Sequence, residues 1–238
     1  KSSAYGGAIV ARAFDGDNAN STVTINGTTT FSANTAAMDG GAIWNAVAES
    51  DGTTGTSEIV FNGDTTFINN VASGSGGAIF NNDLITFNGV TKFDSNTANG
   101  VANDIFNDGT MNFNDDVTLN GGIDGSGTLN IAAGTIFNIG TASVTQGAIA
   151  LDGTMLATLR SGDDAQINVT NEGGFTGDGT LKLSLESAGT YKVFGNAGFD
   201  NVDISSPIYD VAWSGSNVTA TLKSIDEIVA QNNITPDA

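Results

Sequence analysis

In 238 residues the chain has no Cys, no His and two Pro, against 32 Gly, 29 Thr and 27 Asn, a vocabulary of strands and turns. Seven Lys and Arg face 26 Asp and Glu, a formal charge of −19, which opposes a grip on phosphate backbones or anionic membranes and argues against nucleic acid as a partner. Without Cys or His there are no disulfides, thiolate metal sites or Ser-His-Asp triads, while 39 % hydrophobic residues in short regular strands argue against disorder.

Taken in order, the chain opens on Gly-Gly-Ala-Ile followed by a hydrophobe, Gly6-Gly7 through Val10, and then an Asp/Asn-rich stretch, Asp15 to Asn20. Phe-x-x-Asn follows at Phe31 to Asn34, and Gly-Gly-Ala-Ile returns at Gly40-Gly41 to Trp44. A second polar stretch, Ala46 to Ser57, precedes Phe67 to Asn70 and Gly76-Gly77 to Phe80; Phe93 to Asn96 then leads to a degenerate copy, Asn103 to Asn107. Phe67 to Phe93 and Ile79 to Ile105 are both 26 residues apart, as are Thr128 to Thr154 and Thr154 to Thr180. The longer early intervals, 34 from Gly6 to Gly40 and 36 from Gly40 to Gly76, read as the same unit carrying loop inserts at 15–20 and 46–57.

Three strands of β-branched and aromatic residues, bounded by Asn-Gly or Asp-Gly, fit one 26-residue unit. A strand this short cannot bury its inward side chains alone, so each unit stacks on the next, with Ile79 over Ile105 and Phe67 over Phe93. The expected fold is all-β: a right-handed parallel β-helix, a solenoid of about 26 residues per rung. The repeat residues Gly6, Gly7, Gly40, Gly41, Gly76, Gly77, Phe31, Asn34, Phe67, Asn70, Phe93 and Asn96 are expected to be structural. The glycines would supply positive φ and close approach at a corner; no Lys or Arg flanks them as a phosphate loop would need. Asn after Phe, as at Phe61, Phe80, Phe87, Phe106, Phe113 and Phe137, should tolerate left-handed angles at turns and stack into amide ladders. From Ala157 the segments lengthen and alternate, as in Thr180 to Leu185, Thr190 to Phe194 and Asn217 to Leu222. The expected organisation is a β-helix over 1–160, terminal rungs and a capping β region over 161–223, and a tail or linker over 224–238, with a short helix from Ile225 left open. No apolar run reaches the roughly 18–20 residues of a membrane span and Lys1 opens no signal peptide, so the chain reads as a piece of something longer.

Few residues suggest chemistry. Asp115-Asp116 and Asp163-Asp164 are adjacent pairs, and strand neighbours point to opposite faces, so neither pair converges by itself. Arg12 and Arg160 lie far apart, without the Asp cluster that a lyase would need beside its base. Calcium is the single candidate ion: Asp15-Gly16-Asp17-Asn18-Ala19-Asn20 alternates oxygen ligands, but position 19 is Ala and no Glu closes the loop. No cofactor is otherwise expected.

Gly-Gly-Ala-Ile together with Phe-x-x-Asn resembles the repeats of the chlamydial polymorphic membrane proteins and related autotransporter passengers. Gly127-Thr128-Leu129, Tyr191 to Phe194 and Val218 to Leu222 look like the end of such passengers, which resembles an autochaperone-like cap. The chlamydial proteins are rich in Cys and this chain has none, which points to a related passenger of another Gram-negative bacterium. The resemblance implies a non-enzymatic adhesin or display stalk, outside the cell at the Gram-negative outer membrane, joined to an outer-membrane β-barrel in the full-length protein. Its partner would be a host-cell or bacterial surface receptor or glycan. Contact is assigned to the inserts, at Asp15, Asp17, Asn18, Asn20, Glu49 and Asp51. Self-association along one face is a second mode, which the charge would make sensitive to salt. The alternative is a carbohydrate-active β-helix enzyme, a polysaccharide lyase or hydrolase.

Overall fold

The computed structural model describes residues 4–13, 20–47, 55–160, 164–196, 198–204, 206–225 and 227–228. Among these the chain coils through three long parallel sheets of seven, seven and eight strands, one strand of each sheet per turn. The first face starts with Ile9–Ala13, Ile43–Val47, Ile79–Asn81 and Ile105–Asn107 and ends at Ile167–Val169. The second runs from Ser21–Ile25 to Phe175–Thr176, and the third from Thr29–Ser32 to Val202–Asp203. This is a parallel β-helix: each strand is too short to hold a core alone, and stacking makes one core of all the rungs.

The expected stacking holds where the motifs are clear. Phe31 pairs with Phe67 and Phe67 with Phe93 on the third face, and Ile43 with Ile79 and Ile79 with Ile105 on the first. Inside, two aromatic columns stand side by side. Phe31, Phe67 and Phe93 stack with centroids 4.9 and 4.8 Å apart, and Phe61, Phe87 and Phe113 with 4.8 and 5.1 Å. Edge-to-face contacts such as Phe61–Phe67, at 6.2 Å, lock one column to the other. Each fully buried ring contributes roughly 1.5–3 kcal/mol.

The early rungs also carry a fourth, two-residue strand, at Thr35–Ala36, Val71–Ala72 and Thr97–Ala98, which the three-strand reading missed. It lies between Phe-x-x-Asn and Gly-Gly-Ala-Ile, so the two motifs together form one arc from the third face back to the first. The arc ends where Thr97–Ala98 folds against Val101–Ala102 in antiparallel. After it, Thr110 pairs with Thr128 and Thr128 with Ala148, so the rungs shorten to 18 and 20 residues. The 26-residue interval from Thr154 to Thr180 is a true pairing on the third face. The equal interval from Thr128 to Thr154 is not, because Thr128 lies on the second face and Thr154 opposite Ile136 on the third.

The left-handed residues are also placed differently from expectation. Among the described non-glycine residues they are Ala33, Asn69 and Ser95, with φ of 52°, 56° and 55°, each just before the Asn of Phe-x-x-Asn, and Asn99, with φ of 49°, in the turn between Thr97–Ala98 and Val101–Ala102. The Asn that follow Phe keep ordinary angles; Asn81 and Asn107 end strands with their side chains inward, and Asn138 lies within Ile136–Gly140 beside a bulge. The paired glycines divide their tasks. Gly40 and Gly76 have φ of +67°, whereas a Cβ on Gly41 would lie 1.9 Å from the Gly77 carbonyl oxygen.

The parallel stack continues to Val202–Asp203. Gly189–Lys192, Asn217–Leu222 and Tyr209–Ser214 then form an antiparallel sheet whose Tyr191 and Val218 join the same core, as does Val193 just after the first of these strands. This sheet lies where a capping β region is expected; its strand Tyr209–Ser214 carries no motif that marks it in the sequence. Beyond it a helical turn begins at Ile225, where Ser224 and Glu227 form a capping box: the Ser224 N–H and hydroxyl donate to the Glu227 carboxylate at 2.8 and 2.6 Å.

Candidate functional site

Both inserts leave the same corner of the helix. Ile9–Ala13 and Ile43–Val47 lie in register, as do Ser21–Ile25 and Ser57–Phe61, and the inserts bridge the first face to the second on consecutive rungs. In the next rung the corner is closed by Asn82 and Asp83 alone, between Ile79–Asn81 and Leu84–Phe87. Of the residues assigned to contact, Asp15, Asp17, Asn18, Glu49 and Asp51 lie outside the described residues, and so does the calcium-like sequence up to residue 19. Asn20 is described: its Oδ1 accepts the Thr56 N–H at 3.1 Å, while the Ser21 N–H donates to the Thr56 carbonyl at 2.8 Å. The two return points are thereby tied together. Asp83 supports them from below, its carboxylate accepting the Ser57 N–H.

Under this corner runs a buried amide ladder. Ser57 Oγ donates to Asn45 Oδ1, Asn45 Nδ2 to Asn81 Oδ1, Asn81 Nδ2 to Asn107 Oδ1 and Asn107 Nδ2 to Gln146 Oε1, each at 2.7 Å. The rung between Asn107 and Gln146 carries Gly125, whose Cβ would meet the Asn107 carbonyl oxygen at 2.2 Å, so the longer Gln146 side chain spans the gap. The expected ladder is thus present, but its first member follows Trp44 rather than Phe and its last is a Gln. A second, exposed ladder joins Asn26, Asn62, Asn88 and Asn114.

The Asn of Phe-x-x-Asn make a third ladder, Asn34 to Asn70 to Asn96, with side-chain bonds of 2.9 Å. It ends on Asp104, whose carboxylate accepts Asn96 Nδ2 at 2.9 Å and the N–H groups of Asn120 and Gly121 at 2.9 and 2.6 Å. Asp104 holds the place of Ala in the degenerate Gly-Gly-Ala-Ile copy, where the fourth strand stops. Its burial pushes its carboxyl pKa above the ordinary carboxylate value, although the hydrogen bonds pull the other way.

Outside the ladder, the first face presents a row of aromatic side chains. Trp44, Phe80 and Phe106 stack with centroids 6.3 and 5.3 Å apart, and Tyr5 leans on Trp44 at 5.1 Å. These rings are half-buried, and Val10 extends the row in register with Trp44. Asp115 and Asp116 act as turn residues: Asp115 Oδ1 accepts the Asp116 N–H at 2.7 Å and Asp116 Oδ1 accepts the Ile136 N–H at 2.8 Å. Asp163 lies outside the described residues. Among the described residues no three acidic side chains group as a metal site.

The family model for the Chlamydia polymorphic membrane protein repeat matches residues 28–46 and 64–82. Each match covers the arc from the third face through the fourth strand to the first, so it is these arcs that are similar in sequence to the chlamydial repeat. No curated protein and no solved structure matches the chain.

Proposed function

We propose that this chain is a passenger segment of a bacterial surface protein, a non-enzymatic adhesin or display stalk in which the β-helix is the shaft and the two inserts make contact. The observation that carries this reading is the placement of both inserts at one corner of consecutive rungs, in the part of the chain that matches the chlamydial repeat. Loops on a rigid scaffold are where recognition concentrates. The half-buried row from Tyr5 to Phe106 flanks the corner and adds apolar contact area. The full-length protein would carry this shaft on an outer-membrane β-barrel, outside the cell, with a surface receptor or glycan as partner.

The test replaces residues 48–54 by a two-residue turn copied from Asn82-Asp83 and measures binding of the purified chain to cultured host cells and to bacteria. The reading expects an unchanged melting temperature with binding reduced at least about tenfold. Undiminished binding would remove the inserts from the contact surface, and release of reducing ends from acidic polysaccharides would replace the adhesin by a carbohydrate-active enzyme.

A further inference from the structure

Cations are scarce on this chain, and two of them line one cleft. Arg160 follows the third-face strand Thr154–Leu159, Lys192 ends the cap strand Gly189–Lys192, and both border a cleft of about 490 Å³ on the outer side of the first face. That volume lies in the range of small-molecule sites, about 300–1,000 Å³. The floor is the last two strands of the face, which present Thr145 and Asn168 side by side in register.

The walls are fixed by backbone. The Ile167 N–H donates to the Val193 carbonyl and the Gly195 N–H to the Ile167 carbonyl, both at 2.9 Å, so the segment after Lys192 is laid along the last rung. Gly195 keeps the cleft open: a Cβ there would lie 1.9 Å from Asn168 Oδ1. The Arg160 guanidinium is anchored by donating to Ser143 Oγ, and a guanidinium has further donors to offer a guest. Asp164 is the one described carboxylate on the lining.

This inventory selects a ligand class. Among the described lining residues, two cations face one carboxylate, a balance that suits a single anionic group. The −19 of the whole chain repels polyanions. The Ser143 and Thr145 hydroxyls, the Asn168 amide and the Asp164 carboxylate offer both donors and acceptors, as an array of ligand hydroxyls requires. We infer that the cleft binds a carboxylate-bearing sugar unit, a sialate or a uronate, of a surface glycan. The strands from which the inserts leave are the first two of the face and the cleft lies on the last two; at about 4.8 Å per rung these strands are roughly 20 Å apart.

The experiment titrates the immobilised chain with sialyllactose, a glucuronate disaccharide and neutral lactose. It compares Arg160→Ala and Lys192→Ala with Lys182→Ala, a charge-matched change on the exposed side of the third face. The inference expects one acidic sugar to bind in the millimolar range or better and lactose not to. Arg160→Ala and Lys192→Ala should each weaken binding at least about tenfold, with Lys182→Ala and the insert replacement leaving it unchanged. Equal binding of lactose, equal loss in Lys182→Ala, or no binding of either acidic sugar at 10-fold above ~1 mM would overturn it. Loss in the insert replacement would move the site to the inserts.

Discussion

At the scale of single residues the core is held by amides as much as by rings. Asn81 is fully buried and donates to Asn107 Oδ1 and to the Asp83 and Thr110 carbonyls, while its own oxygen receives Asn45. Asn81→Ala leaves several of these groups unpaired away from water, at about 1–3 kcal/mol for each buried group. The expected outcome is a loss of at least about 2 kcal/mol in denaturant unfolding, and a loss under half of that would mean the ladder is wet. Asp104 makes a prediction of opposite kind. Burial raises its folded-state pKa, so the fold favours the protonated form, and stability falls as pH rises from the unfolded value of 3.8 through the higher folded value. Asp104→Asn does not titrate. The stability difference, wild type minus variant, should therefore decrease as pH rises through that window, and a difference that grows with pH would contradict the assignment. Sequence reading foresaw ladders because Asn recurred after Phe. It could not foresee Asp104 as a terminator, since only the loss of the fourth strand brings the Asn120 and Gly121 N–H groups to its carboxylate.

At the scale of elements the motifs were legible wherever a side chain recurs at a fixed place in the rung. Phe31, Phe67 and Phe93 spell out the third face because each fills the same inward site. The fourth strand was missed because two residues such as Val71–Ala72 carry no period of their own, and the shortened rungs were missed because removing the arc removes its motifs too. The contact residues of the inserts were chosen by composition, which has no register to read, whereas the cleft at Arg160 and Lys192 joins residues from three separate strands and loops and left no local pattern. The glycines give a test of the corner geometry. Gly41→Ala would drive a Cβ into the Gly77 carbonyl, whereas a Cβ on Gly27 would meet nothing within 4 Å and its φ is not positive. Gly41→Ala is expected to cost about 1–3 kcal/mol or more and Gly27→Ala to stay within about 0.5 kcal/mol, both read from thermal unfolding. Equal effects would show that the layers can separate at the corner.

At the scale of the molecule, a solenoid joins each rung only to its neighbours, so its stability is a sum of local terms and its ends are its weak points. The cap answers this at one end. Tyr191, Val193, Phe194 and Val218 close over the last rungs in the same core as Leu181 and Leu183, and the Tyr191 hydroxyl is held by the Ser187 carbonyl at 2.6 Å. Deleting residues 189–222 would expose that apolar end and leave the final strands with unpaired edges. Amide exchange should then accelerate first in Ile167–Val169 and Thr180–Leu185 and fade with distance, leaving the Phe67 to Phe113 rungs close to their original protection. Those middle rungs hold both aromatic columns and two of the amide ladders, so they have the most to lose on opening. Exchange that rises equally along the whole chain would instead mean that the helix opens as a single cooperative unit and that the cap governs every rung, a role closer to a folding template than to a lid.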